Sequence, residues 1–223
     1  MKKTLFPILI LATCFSLFHT ACKKDKKENI NTTGIIFNPN LNYGTFTDIR
    51  DGREYKTIII GNQTWMAENI SYATPTGQWW FYNNEESSDA LYGKLYDGTA
   101  ALVVCPDNWH LPTREDFESL MTCIGSDTLA GGRLKEATTT HWNTPNSGAD
   151  NSSGYTALPA GCWNPYLSGF INKGIAGYFW CSTYAAFENL YYLNVWNNNS
   201  ITGLGYSPIT FGNSVRCIMD VKK

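Results

Sequence analysis

The segment from Cys105 to Leu120, CPDNWHLPTREDFESL, constrains the fold more than any other part of the sequence. Pro112 cannot continue a helix that precedes it, whereas the Thr113 hydroxyl can cap a new one, with Asp116 in an acidic first turn. Apolar residues then recur at helical spacing: Phe117, Leu120, Met121 and Ile124. The pattern predicts a short amphipathic helix that follows a strand end carrying Cys105 and packs its apolar face on a core.

The first 21 residues have the pattern of a secretory signal peptide. Lys2 and Lys3 supply the charged start, and residues 5–18 form an apolar run that is too short to span a bilayer. The following Ala21-Cys22 pair resembles the end of a bacterial lipobox, in which the cysteine is lipidated and becomes the new N-terminus. We therefore expect lipidation at Cys22, with an ordinary cleaved signal peptide as the alternative.

Residues 22–45 are interpreted as a flexible tether. The segment after Cys22 reads KKDKKENINTTG, which is charged and then polar and has no hydrophobic periodicity. A lysine followed by acidic residues at this place also resembles the surface-export signal of Bacteroidota lipoproteins. The expected location is the outer membrane, on either the cell surface or the periplasmic face, with the lipid anchor as the contact to the membrane.

The charge balance argues against a nucleic-acid partner. The net charge is −2, and loss of Lys2 and Lys3 with the leader would lower it by two further units. No long basic patch remains to neutralise phosphates. The aromatic content is high, with eight Trp, thirteen Tyr and eleven Phe. We expect some of these rings to lie at the surface, because a core of this size needs fewer.

The segment 46–70 predicts a β-meander that opens the folded domain, assigned to residues 46–223. Asp51-Gly52 and Gly61-Asn62-Gln63 separate three strand-like runs. The predicted strands are residues 47–50, 55–60, 64–70, 178–183, 189–196 and 215–219. Turns are predicted at 197–199 and 203–208, and the Asn-, Ser- and Thr-rich stretches between motifs predict loops at 71–90, 138–153 and 163–176.

Six motifs, taken in order, resemble one family of bacterial extracellular and lipoprotein domains. They are DIRDGREYKTIIIGNQTWMAENI (48–70), LYGKLYDGTAA (91–101), VCPDNWHLPTREDFESL (104–120), GYTALPAG (154–161), GYFWCSTY (177–184) and SVRCIMD (214–220). The chain is similar to the Fibrobacter succinogenes major paralogous domain. That family in turn resembles the formylglycine-generating enzymes (sulfatase-modifying factors) and the C-type lectins. The implied fold is α+β, with twisted antiparallel strands, few short helices and long ordered loops.

The cysteines of the exported domain are expected to form disulfides, because the compartment is oxidising. Cys105 and Cys217 both fall in motifs of the family, and a bridge between them would tie the ends of the domain together. Cys162 and Cys181 are the next expected pair, which leaves Cys123 as the odd thiol. The alternative is that some of these cysteines are simply buried small residues.

The chain lacks the common catalytic and metal-binding motifs. It has no CxxC pair, serine elbow, phosphate-binding glycine loop or HExxH. The formylglycine-generating relatives use a cysteine pair with copper, but nothing around Cys162 or Cys181 reproduces their motif. His110 is expected to pack or to cap a turn at the helix start, and His141 to lie in an exposed loop beside Trp142. We therefore expect no catalytic residue, no metal and no cofactor.

The predicted binding residues are aromatic. Rings beside Asn, Ser and Thr suit stacking on a sugar, with hydroxyls hydrogen-bonded around it. Five fall in or beside loops expected at one end of the sheet: Trp142, Trp163, Tyr166, Tyr184 and Trp196. The alternative is that such rings fill the interior of a loop-rich fold. We expect a non-catalytic binding or adhesion module for a glycan or surface ligand. The alternatives are a structural subunit that binds an envelope protein and an oxidative enzyme like the formylglycine-generating relatives.

Overall fold

The structure, a computed structural model, describes residues 33–221. The predicted signal peptide, the lipidation site Cys22 and the first part of the predicted tether lie outside the described residues. None of the helices in this range is long and apolar enough to cross a membrane.

The architecture is mixed α+β, with antiparallel strand pairing in every sheet. Residues 33–221 contain four short α-helices: α1 (Asp89–Tyr92), α2 (Gly98–Val104), α3 (Arg114–Ile124) and α4 (Asp127–Leu134). Two 3-10 turns, Tyr82–Asn84 and Glu86–Ser88, precede α1. The first six strands are β1 (Gly44–Thr47), β2 (Glu54–Ile60), β3 (Gln63–Met66), β4 (Trp79–Trp80), β5 (Leu95–Tyr96) and β6 (Trp109–His110). The other six are β7 (Cys162–Asn164), β8 (Gly169–Ile171), β9 (Ala176–Ala186), β10 (Asn189–Trp196), β11 (Thr202–Pro208) and β12 (Ile218–Met219).

These strands form four sheets. The largest, called here the central sheet, has the order β1-β2-β3-β12-β6, so β12 lies between β3 and β6. The second has the order β11-β10-β9, and β4-β5 and β7-β8 are two-stranded pairs. Cys105 and Cys217 are bonded, with their Cα atoms 5.8 Å apart. The bond joins the residue after α2 to the residue before β12, so the C-terminal strand is held both by its hydrogen bonds and covalently.

Helix α3 confirms the capping prediction. Thr113 Oγ1 accepts a hydrogen bond from the Asp116 backbone N–H at 3.1 Å, and the Asp116 carboxylate accepts one from the Thr113 N–H at 2.9 Å. Phe117, Leu120 and Ile124 are buried on the inner face. The Phe117 ring stacks on Trp65 of β3 with 5.5 Å between centroids, so α3 packs on the central sheet through aromatic contact.

Several local predictions were wrong. The predicted loops 71–90 and 163–176 contain β4, most of β7, and β8, and the first strand lies at Gly44–Thr47 instead of 47–50. Two further differences have a visible physical cause. Cys105 follows helix α2 rather than a strand, because the Asp97 side chain accepts from the Ala100 N–H at 2.7 Å and starts a helix in the Ala-rich run. The glycine-rich segment 203–208 belongs to strand β11 instead of a turn. A Cβ atom at Gly205 would lie 2.7 Å from the ring of Tyr192, so this glycine permits close strand packing.

The described part of the predicted tether, residues 33–45, packs on the domain and is called here the N-terminal segment. Ile35 is buried, and the Ile36 N–H donates to Glu136 Oε1 at 2.8 Å. Further along, the Asn38 amide donates to the Asn151 carbonyl at 3.1 Å. The folded unit therefore begins before residue 46, because apolar side chains in this stretch complete the core.

The hairpin between β9 and β10 carries an exposed aromatic residue in an unfavourable backbone conformation. Phe187 is 96% exposed and has φ of 49°, in the left-handed region. We expect Phe187→Asn to raise the free energy of unfolding by about 0.5–1 kcal/mol, because Asn tolerates this region better than Phe. Urea denaturation measures the change. Phe187→Ala, which removes the ring but keeps Cβ, is the control and should stay within about 0.5 kcal/mol of wild type. If the Asn variant is less stable than the Ala variant, the backbone at Phe187 is not strained.

Candidate functional site

Trp142 does not belong to a surface site. It is 1% exposed, and its Nε1–H donates to the Ala157 carbonyl at 3.1 Å. The Lys135 ammonium lies 5.5 Å from the ring centroid and donates to three backbone carbonyls at 2.9 Å. The expectation of an accessible Trp142 is wrong because this loop folds inwards around the buried lysine.

Tyr184 and Trp196 lie on the three-stranded sheet. Tyr184, on β9, is 54% exposed. Trp196, at the end of β10, is half-buried and packs edge-on against Tyr178 at 5.7 Å between centroids. Its Nε1–H donates to Asn194 Oδ1 at 3.0 Å. The ring of Trp196 is thus held by a neighbour on its own sheet rather than by Trp163.

Trp163 and Tyr166 come together on the β7–β8 hairpin. Trp163 pairs with Phe170 across the hairpin, and their rings meet edge to face at 5.0 Å. Trp163 also stacks on Trp80 of β4, with centroids 5.3 Å apart and the planes 18° from parallel. Tyr166 contacts Phe211 edge to face at 5.6 Å. These five residues are called the aromatic row.

Local backbone geometry holds the aromatic row in place. Trp163 and Gly212 exchange two backbone hydrogen bonds, at 2.8 and 3.0 Å. A Cβ atom at Gly212 would lie 2.8 Å from both Trp80 Cζ3 and Trp163 Cβ, so only glycine allows this approach. In the hairpin turn, Asn164 Oδ1 accepts the Tyr166 N–H at 2.9 Å. The Tyr166 ring projects from this turn and is 76% exposed.

A small hydrophobic cluster supports the aromatic row from below. Its buried members are Ile35, Tyr82, Tyr92, Leu95, Leu158 and Ala160. Trp80, Phe170 and Phe37 are partly buried and pack against it. Trp80 and Phe170 are partly buried against this cluster, and Trp163 is partly buried against their two rings. Half-exposed, well-supported rings of this kind are suited to binding, because they lose little conformational entropy when a ligand arrives.

Three residues of the aromatic row were missed by the sequence reasoning: Trp80, Phe170 and Phe211. The signal for Trp80 is present in the run Trp79 to Tyr82, which places four consecutive aromatic residues in a predicted loop. In a β-strand, alternate residues face opposite sides, so Trp79 and Trp80 cannot share one surface. The pairing of β4 with β5 decides which of the two faces Trp163. In the structure Trp80 lies opposite Leu95, and Trp80 is the one that contacts Trp163.

His110 sits between two carboxylates at the start of α3. Its Nδ1 lies 2.6 Å from Asp220 Oδ1, and its Nε2 lies 3.2 Å from Asp116 Oδ2. Burial raises the pKa of Asp116, but the hydrogen bonds from Thr113 outweigh it, and the pKa lies below its usual value. These contacts join Asp220 to the N-terminus of α3 through His110. His141, expected in an exposed loop, is mostly buried instead, because its Nδ1 lies 2.8 Å from the buried Glu136 carboxylate.

The cysteines are paired as expected in one case only. Cys105 and Cys217 are bonded, whereas Cys162 and Cys181 are separate buried thiols. The second expected pair is wrong because Cys162 packs with Ala176 and Tyr178, whereas Cys181 packs in a different core cluster that contains Phe117. Burial raises the pKa of the Cys162 thiol to about 12 and also raises that of Cys181. Cys123 is an exposed free thiol.

A polar network lies beside Trp79 and Phe81. Lys94 Nζ donates to Ser71 Oγ at 2.7 Å and is 3.3 Å from Asp89 Oδ1, and Asp89 also pairs with Arg53 at 2.6 Å. The adjoining open cleft is lined by Thr33, Arg53, Glu54, Glu86, Ser87, Asp89 and Ala90. Within residues 33–221, no group of three His, Cys, Asp or Glu side chains is arranged to hold a metal ion.

Comparison with known proteins identifies the family. No curated protein and no solved structure matches the chain. The family model of the Fibrobacter succinogenes major domain matches residues 58–219. This range includes β3, α3, β12 and all five residues of the aromatic row, whereas the N-terminal segment lies outside it. This match covers well over half of the chain, and the protein therefore belongs to the Fibrobacter succinogenes major domain family.

Proposed function

We propose that this protein is a lipid-anchored, non-catalytic module of the cell envelope that binds glycans through the aromatic row. The observation that carries the proposal is the partly exposed stack of Trp80 and Trp163, which Phe170 contacts edge to face, with the exposed Tyr166 and its contact Phe211 at the turn of the same hairpin. A soluble domain gains little from leaving large rings in water, so a contiguous set of them indicates a binding surface.

The chemistry of the aromatic row suits a sugar better than a flat apolar ligand. Sugar rings present CH groups on their faces, which pack on indole and phenol rings, and hydroxyls at their edges. Polar groups at the hairpin turn can serve those hydroxyls: the Tyr166 hydroxyl and the Nδ2 group of Asn164, whose Oδ1 already accepts the Tyr166 N–H. Such a mixture of flat apolar surface and a few oriented polar groups is typical of small-ligand sites.

The anchor and the fold are part of the same proposal. The lipidation expected at Cys22 would hold the domain at the outer membrane, on the cell surface or the periplasmic face. We further propose that the α+β architecture is C-type-lectin-like. The covalent link between the start of the α3 motif and the closing strand, with long ordered loops between them, supports this relationship.

The state of the free cysteines supports a binding function rather than oxidative catalysis. A catalytic cysteine acts as a thiolate, and burial disfavours the thiolate of both Cys162 and Cys181. These two residues also belong to different core clusters, which does not provide a cysteine pair for copper.

The test is a glycan array with the full chain purified in detergent, and with three variants. We expect Trp163→Ala to weaken binding to the array hits at least about 10-fold, because it removes the central ring of the aromatic row. Tyr166→Ala, which alters an exposed side chain and leaves the core intact, should weaken binding in the same direction. Tyr184→Ala removes an exposed tyrosine from another sheet and should bind like wild type.

Two results would overturn this function. One is a folded wild-type protein that binds no glycan on the array. The other is binding that survives Trp163→Ala and Tyr166→Ala unchanged, with near-UV circular dichroism showing that both variants keep their tertiary structure.

A second candidate function is a structural subunit that binds an envelope protein. It is favoured by three exposed rings apart from the strands of the aromatic row: Tyr184 and Tyr206 on the three-stranded sheet, and Phe187 in its β9–β10 turn. Crosslinking in intact cells followed by recovery of one stoichiometric partner, lost in Phe187→Asn, would support this role. Recovery of the same partner from the variant would count against it.

A further inference from the structure

The aromatic row ends at a lysine. Phe170 contacts Tyr82 with 5.2 Å between ring centroids, and the Lys173 ammonium lies 5.1 Å from the centroid of Tyr82 and 5.1 Å from that of Tyr92. The positive charge thus sits against two tyrosine rings, an arrangement stabilised by the electrons of the ring faces. Lys173 is partly exposed, so solvent or a ligand can reach it.

Lys173 has no carboxylate partner within the described range 33–221. The ion pairs there involve Arg50, Arg53, Lys94, Arg114, His110 and His141. Lys94 makes a useful contrast. It also lies near two rings, 5.2 Å from Trp79 and 4.9 Å from Phe81, but it is buried and paired with Asp89. The charge of Lys94 is therefore internally compensated, whereas that of Lys173 is available to an anion.

The backbone presents Lys173 from a fixed turn. The N–H groups of Ile175 and Ala176 both donate to the Asn172 carbonyl at 3.0 Å, and the Gly174 N–H donates to the Pro159 carbonyl at 2.9 Å. The Asn172 side chain is also held, because its amide donates to the Tyr178 hydroxyl at 2.8 Å. A lysine on a rigid turn loses less entropy when it binds a ligand than one on a mobile loop.

Three nearby titratable groups, Tyr82, Tyr92 and Glu136, leave the Lys173 ammonium without a negatively charged partner. Burial raises the pKa of Tyr92 to about 12 and also raises that of Tyr82, so both phenols are neutral at physiological pH. The charge of Glu136 acts on Tyr92, but this carboxylate is fully buried. Its oxygens already accept hydrogen bonds from the Ile36 N–H and from His141.

We propose that the glycan bound by this protein carries a carboxylate, as in uronic or sialic acids, and that Lys173 binds it while neighbouring sugar rings lie on the aromatic row. This proposal rests on the proposed glycan-binding function and adds the chemical class of the ligand. The chain has a net charge of −2, so a negatively charged glycan would be weakly repelled without a local cation. Lys173 supplies that cation at the end of the row.

The experiment uses the full chain on an array of oligosaccharides that contain uronic or sialic acid. Each acid is printed beside its methyl ester, which has the same rings and linkages but no charge. We expect wild type to bind the preferred acid at least 10-fold more tightly than its ester. Lys173→Met should weaken binding of the acid by a similar factor and leave binding of the ester unchanged, whereas Lys173→Arg should retain the preference. Lys56→Met, on strand β2, is the matched control and should behave like wild type.

The outcomes separate this inference from the function on which it rests. If neutral glycans or esters bind through Trp163 while acids gain nothing, or if Lys173→Met keeps the preference for acids, the assignment of Lys173 is overturned and glycan binding stands. If neither acids nor esters bind to a folded wild-type protein, both proposals are overturned.

Discussion

Replacement of Arg216 by Met is expected to lower the free energy of unfolding by about 3–5 kcal/mol. Arg216 is fully buried and donates to Asn69 Oδ1 at 2.8 Å, to the Thr156 carbonyl at 2.8 Å and to the Tyr155 carbonyl. The guanidinium also lies 4.4 Å from the Tyr155 ring centroid and 5.2 Å from that of Phe179. Methionine fills similar space but leaves three acceptors without a donor in a region closed to water.

Urea denaturation of matched variants tests this role. Arg216→Lys should lie between wild type and Arg216→Met, because an ammonium keeps the charge but cannot reach three acceptors in the planar geometry of a guanidinium. Arg114→Met is the control: Arg114 is exposed and pairs with Glu118, so its loss should cost less than about 1 kcal/mol. A loss below about 1 kcal/mol for Arg216→Met would mean that the buried acceptors find other partners.

The second large effect is expected from the Cys105–Cys217 disulfide. The two residues are 112 positions apart, and the chain-entropy relation assigns about 4–5 kcal/mol to closing a loop of this length. The double variant Cys105→Ala/Cys217→Ala should lose roughly this much stability in urea. Addition of dithiothreitol should destabilise wild type by a similar amount and leave the double variant unchanged. Equal stability of oxidised and reduced wild type would show that the hydrogen bonds of β12 alone hold the C-terminal strand.

Arg216 and Cys217 are adjacent, and together they explain why the end of the chain determines the architecture. Arg216 binds the backbone of residues 155 and 156, and Cys217 is bonded to Cys105. The following residue, Ile218, pairs with both Trp65 and His110 in the central sheet. Three consecutive residues near the C-terminus therefore connect three distant parts of the sequence.

Local signals in the sequence were sufficient for some elements. The cap of α3, its apolar face and the β2–β3 hairpin at Gly61 are determined by residues within a few positions of each other. Strand β11 was missed because its glycines are turn-formers locally and become strand residues only beside Tyr192. Turn and strand propensities describe an isolated segment, whereas the residues that pack against it decide which secondary structure it adopts in the folded protein.

The candidate site was only partly predictable for the same reason. The composition around Trp163 and Tyr166 indicated rings near the surface, and the structure places both in the aromatic row. Trp142 lies in a stretch of similar composition but is buried, because the Lys135 ammonium needs an enclosed set of carbonyls and draws its loop inwards. No local pattern distinguishes the two tryptophans. The stacking of Trp80 on Trp163 requires β4 and β7, which are more than eighty residues apart, to meet at Gly212.

The N-terminal segment leads from the expected anchor into the same hydrophobic cluster that supports the aromatic row. Ile35 and Phe37 pack there with Tyr82, Trp80 and Phe170. If the domain is anchored at Cys22 and binds its ligand at the aromatic row, as proposed, a mechanical pull from the membrane would act on these shared contacts before it reaches strand β1. Tension strong enough to detach the N-terminal segment would first remove the support of Trp80 and Phe170. The ligand would then be released while the rest of the domain, held by the Cys105–Cys217 disulfide, stays folded.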